Sequence, residues 1–72
     1  MSTDSLDHRL LAAHVAGDGP ALVTLYAEAA AQANTEEARG FYLTHAYVFA
    51  LEQGDARAAD LHKALRAMGR DE

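Results

Sequence analysis

Three short breaks divide this chain into segments of helical length, and they constrain its fold more than any other feature. "AGDGPA" (Ala16 to Ala21), "QANTEE" (Gln32 to Glu37) and "QGDA" (Gln53 to Ala56) each combine glycine or asparagine with capping residues. The intervening segments show no strand-like alternation. Four helices are expected: Asp4 to Ala16, Gly19 to Ala33, Thr35 to Gln53 and Asp55 to Met68. Asp4 with Asp7 resembles a capping box at the first start, and Pro20 suits the first turn of the second helix. Thr35 followed by Glu36 and Glu37 suits the third start, and Asp55 is placed to cap the fourth. Gly17, Gly54 and Gly69 occupy stop positions where a left-handed residue is favoured.

Loops this short force neighbouring helices to be antiparallel. The expected fold is therefore all-α: four short antiparallel helices as two hairpins, either stacked or closed into a four-helix bundle. Seventy-two residues suit a single domain spanning 1–72. A core of this size supplies roughly 3–5 kcal/mol, and small domains often add a disulfide, a metal or a partner. The absence of cysteine removes disulfides and thiolate metal sites. Association with another protein or a second copy of the chain remains.

The apolar stripes are read at 100° per residue. Leu6, Leu10 and Ala13 share one face of the first helix, with Leu11 and Val15 beside them. Leu22, Val23, Tyr26, Ala29, Ala30 and Ala33 form the stripe of the second. In the fourth, Leu61, Ala64, Leu65 and Met68 face inward, and His62, Lys63 and Arg66 face outward. The third helix has a broad arc of Phe41, Leu43, Thr44, Tyr47, Val48, Ala50 and Leu51, expected to pack on two neighbours. Its opposite arc holds Tyr42, His45, Phe49, Glu52 and Gln53. Aromatic residues mixed with polar ones are the composition of an interface, so Tyr42, His45, Phe49 and Glu52 are the expected partner-binding residues. The alternative is that Tyr42 and Phe49 meet the first helix.

The Gly-Asp pairs at 17–18 and 54–55 lie 37 residues apart. That shift brings Leu6 onto Leu43, Leu10 onto Tyr47, Leu11 onto Val48 and Ala21 onto Ala58, as two copies of a hairpin would. "LEQGDARAADLHKALRAMGR" resembles the second half of a tetratricopeptide-type repeat, through Gly54, Asp55, Ala59, Ala64 and Leu65. The resemblance covers Thr35 to Arg70 and extends weakly to Leu6 to Ala33. The spacing of 37 exceeds the family's repeat of about 34. The resemblance implies stacked helical hairpins that bind a protein or peptide on a helical surface, without catalysis.

Catalytic and metal constellations are sparse. Of the four histidines, His8, His14, His45 and His62, no two stand at i, i+4, and no His-Glu-x-x-His motif occurs. No metal and no cofactor are expected. His8 stands one turn from Asp4, and His14 lies near the negative end of the first helix. Thr44 and His45 are adjacent, so their side chains diverge by about 100° on a helix. "GDG" at 17–19 lacks the lysine and hydroxyl residue of a phosphate loop. An enzyme is not expected.

The net charge of −5 disfavours a nucleic-acid role built on phosphate contacts, and disfavours an anionic membrane surface. No apolar run reaches the ~18 residues that would cross a bilayer, and the acidic first residues do not resemble a secretory leader. The expected protein is soluble and cytoplasmic: a non-catalytic interaction module, an adaptor or a small accessory subunit. The alternative is a self-associating homodimer, and a small metal-binding protein or enzyme using the histidines is more remote.

Overall fold

The two Gly-Asp pairs build the same turn. The computed structural model describes residues 5–69, and in it Gly17 and Gly54 take φ of 66° and 63°. The N–H of Gly17 bonds to the His14 carbonyl and that of Gly54 to the Leu51 carbonyl, both at 3.1 Å. The following aspartates donate their N–H groups to the Ala13 and Ala50 carbonyls, both at 2.9 Å. These paired bonds satisfy carbonyls that the helix ends leave open, and only a left-handed residue allows them.

Four helices result: α1 (Ser5–Ala16), α2 (Gly19–Gln32), α3 (Glu36–Gln53) and α4 (Arg57–Ala67). Their starts are explained by side chains. Asp18 accepts the N–H of Ala21 at 3.2 Å, with Pro20 in the first turn. Thr35 accepts that of Ala38 at 3.0 Å. Asp55 accepts the N–H of Arg57 at 2.9 Å, so its carboxylate closes the turn while α4 begins two residues later than the sequence suggests. The expected capping by Asp4, its pairing with His8, and Arg70 lie outside the described residues.

Among the described residues each helix packs on its chain neighbours: α1 on α2, α2 on α3, and α3 on α4. Helices α1 and α4 do not pack together, so the array is an open stack and the closed bundle is set aside. Its Cα extents are 35 × 28 × 13 Å. None of these helices is long and apolar enough to cross a membrane.

Two apolar clusters hold the stack. The larger joins α2, α3 and α4 through Val23, Ala30, Leu43, Ala46, Ala50, Leu61 and Leu65. The smaller joins α1 to α2 through Ala13, Leu22 and Leu25, covered by Leu6 and Leu10. Phe49 and Tyr26 pack against both clusters.

The packed arc of α3 differs from the sequence expectation. Gly40, Leu43, Ala46 and Ala50 are buried, with Tyr42, Tyr47 and Phe49 half-buried beside them. Phe41, Thr44, Val48 and Leu51 face outward. Small residues explain the rotation. Ala46 and Ala50 on α3 and Ala29 and Ala30 on α2 are buried, and small side chains let two helix backbones approach closely enough to bury the flanking aromatic rings. On α1, Leu11 and Val15 are likewise exposed rather than packed beside the stripe. On α4, His62 is half-buried and stacks on Tyr47, with ring centroids 5.4 Å apart, instead of standing in solvent.

One polar tie crosses the stack. The Arg57 guanidinium grips Asp55 at 2.6 Å, donates to the Thr24 hydroxyl at 2.6 Å and reaches the Pro20 carbonyl at 3.3 Å. It pins the start of α4 to the first turns of α2. These bonds hold the Asp55 carboxyl well below the usual carboxylate range, at about 2.

Candidate functional site: an aromatic cleft and the outer face of α3

Tyr26 is the centre of an aromatic group contributed by three helices. It sits on the side of α2 between the faces that meet α1 and α3. Its ring stacks on Phe49 with centroids 5.7 Å apart and planes 14° apart, and on His45 at 5.2 Å. Tyr42 lies tilted against it at 6.3 Å. From α1, His14 Nε2 and the Tyr26 hydroxyl share a hydrogen bond of 3.0 Å, and the His14 ring meets Phe49 edge-on at 5.8 Å. Phe49 therefore meets helix 1, through His14, rather than standing clear of it.

His45 Nδ1–H donates to the Phe41 carbonyl one turn earlier, at 2.9 Å. A carbonyl only accepts, so this bond fixes the ring tautomer and leaves Nε2 as the acceptor of the neutral ring. Phe41 leans over His45 with centroids 4.4 Å apart and meets Tyr42 edge-on at 5.3 Å. Three of the four expected site residues, Tyr42, His45 and Phe49, are thus gathered around Tyr26 and half-buried, and Glu52 is exposed two turns beyond His45 on the same side of α3.

Beyond His45 the surface of α3 becomes apolar and open. Phe41 is 55% exposed, Val48 44% and Leu51 55%. With Thr44 they follow 3- and 4-residue steps along one side of the helix. On α1, Leu11 and Val15 lie within about 100° of His14 on the side turned from α2, and are 63% and 81% exposed. The aromatic cluster is therefore bordered by open apolar residues on both flanking helices. Phe41, Val48 and Leu51 escape the sequence reading because helical periodicity gives two apolar arcs on α3. The small residues Ala46 and Ala50, opposite the open stripe, are the signal that identifies the packed one.

The chemistry available elsewhere is limited. An open groove of about 590 Å³ between α1 and α2 is lined by Ala12, Ala13, Ala16, Ala21 and Leu25, with Arg9, Asp18 and Thr24. Each polar group there is already engaged. Arg9 pairs with Glu28 at 3.1 Å, Asp18 caps α2 and Thr24 receives Arg57. Among the described residues no three His, Cys, Asp or Glu side chains gather to hold a metal ion. The histidines are dispersed: His8 is exposed on α1, His14 and His45 flank Tyr26, and His62 lies on Tyr47. No family model, curated protein or solved structure matches this chain.

Proposed function

We propose that this chain is a non-catalytic protein-interaction module, an adaptor or small accessory subunit. Its partner-binding face runs from the half-buried Tyr42, His45 and Phe49 across Glu52 to the outer stripe of α3. The observation that carries this reading is the open run of Phe41, Val48 and Leu51 along a single helix. Contiguous exposed apolar side chains of this kind, edged by polar groups, are characteristic of interaction surfaces. The resemblance to a tetratricopeptide-type hairpin agrees with it, and so does the engagement of the groove's polar groups in internal bonds. Val48→Asp tests the reading, because Val48 is outward and its loss leaves the core intact. Affinity capture from native cells, followed by mass spectrometry, is expected to lose its specific partner with this variant while circular dichroism is unchanged. Undiminished capture would remove the face from consideration.

A second reading, self-association, is favoured by Leu11 and Val15. The outward face of α4 carries Lys63 and Arg66, whereas that of α1 carries open apolar residues. Sedimentation over a concentration series separates the readings: a dimer dispersed by Val15→Asp supports self-association, and a monomer throughout excludes it.

A further inference from the structure

The open stripe of α3 has acidic ends. At 100° per residue Glu37 falls in line with Phe41, Thr44, Val48 and Leu51, and Glu52 lies within about 40° of Phe41 and Val48. The steps 37, 41, 44, 48 and 51 alternate between 4 and 3, the spacing of a seam that packs against one further helix. All of these residues are exposed. Glu37 and Glu52 stand about 22 Å apart along the axis, roughly four turns.

Self-pairing of α3 is penalised in the antiparallel register that brings its two ends together and in the in-register parallel pair. In the antiparallel register that sets Phe41 against Val48 of a second copy, Glu37 meets Glu52 of that copy at both ends. A parallel pair sets each glutamate against itself. Like charges opposed across a helix seam are destabilising and select against that partner. The surrounding chain reinforces this through its net charge of −5.

We infer that the α3 stripe receives a basic amphipathic helix of another protein, about four turns long. Its apolar residues repeat at 3- and 4-residue steps, and its Lys or Arg residues flank them at both ends. The partner seats its apolar seam on Phe41, Val48 and Leu51 and its cationic ends on Glu37 and Glu52. Apolar contact supplies the affinity, and the two carboxylates set the choice of partner and its register. This rests on the interaction-module reading and adds the chemical class of the partner.

The test uses two labelled synthetic helical peptides with one apolar seam, flanked in one case by lysine and in the other by glutamate. Fluorescence anisotropy is read on the full chain, on Glu37→Lys/Glu52→Lys and on Val48→Asp, at low and high salt. The lysine peptide is expected to bind the unmodified chain about tenfold or more tightly than the glutamate peptide, with the margin shrinking at high salt. The preference is expected to invert with Glu37→Lys/Glu52→Lys, and Val48→Asp is expected to lose both peptides with unchanged circular dichroism. Equal binding of the two peptides, a preference that survives the double substitution, or full binding by Val48→Asp each overturns the inference. A dimer of the unmodified chain that Val48→Asp disperses also overturns it, in favour of a second copy, while leaving the α3 face as an interaction surface. If neither peptide binds, the inference fails. If native capture is in addition insensitive to Val48→Asp, the interaction-module reading fails with it.

Discussion

Replacing Phe49 by alanine tests whether this ring belongs to the core or to the surface. Phe49 packs against both apolar clusters and contacts His14 of α1 and Tyr26 of α2. Truncating a fully buried phenylalanine costs about 3–5 kcal/mol. Phe49 is only half-buried, which reduces the burial and cavity part to about 2 kcal/mol. Loss of its stacked and edge-on ring contacts adds about 0.5–1 kcal/mol. The total of about 2.5–3 kcal/mol is most of the roughly 3–5 kcal/mol that a core of this size supplies. A urea titration followed by circular dichroism at 222 nm measures it. With a slope near 1 kcal/mol per molar urea, the midpoint is expected to fall by about 2–3 M. Val48→Ala on the same helix is the control and is expected to cost less than about 0.5 kcal/mol. Amide exchange adds a positional readout: α1 is expected to lose protection first, because Phe49 reaches it from α3 through His14. If Phe49→Ala and Val48→Ala melt together, Phe49 is not core and the packing argument made for the α3 arc is wrong.

Two further predictions concern the Gly-Asp turns. Because Arg57 holds the Asp55 carboxyl down to about 2, its contribution is complete above the unfolded carboxyl value of ~3.9 and is lost as pH falls through about 2. The melting-temperature gap between the unmodified chain and Asp55→Asn is therefore expected to be constant above about pH 5 and to shrink toward pH 2; a gap that widens on acidification refutes the linkage. Gly54 has φ of 63° with open space where a Cβ would stand, so Gly54→Ala is expected to cost about 1 kcal/mol from backbone conformation alone. Thermal unfolding that places Gly54→Ala at or above the unmodified chain would show that the left-handed turn is not needed.

The turns were the most legible part of the fold. Gly17-Asp18 and Gly54-Asp55 are read from sequence because the stop and the cap are local: one needs a left-handed φ, the other a carboxylate near a free N–H. The orientation of α3 was not legible in the same way. Its eighteen residues carry apolar groups on most of their circumference, so periodicity alone cannot choose between the arc through Leu51 and Val48 and the arc through Ala46 and Phe49. The choice is made by the neighbour, whose Ala29 and Ala30 accept a close helix only where α3 is also small. For the candidate site, Tyr42, His45 and Phe49 were identified as a group from composition, and the structure places all three around Tyr26. That they lean inward, with Phe41, Val48 and Leu51 left open, depends on that same neighbour. His62 shows the limit of a polar label: its ring reads as a solvated residue but offers a flat surface for Tyr47.

The sequential order of the stack also bears on how the chain acquires its structure. Each helix docks on the one before it across a connection of two or three residues, so little loop entropy is spent before contacts form. A topology of such low contact order folds in microseconds to milliseconds. It also suits assembly during synthesis, because α2 can settle on α1 before α3 has left the ribosome, and α3 then completes Tyr26's surroundings. Arg57 comes last in that sequence. Its bonds to Thr24 and to the Pro20 carbonyl form only when the fourth helix arrives, and they act as the latch that closes the stack.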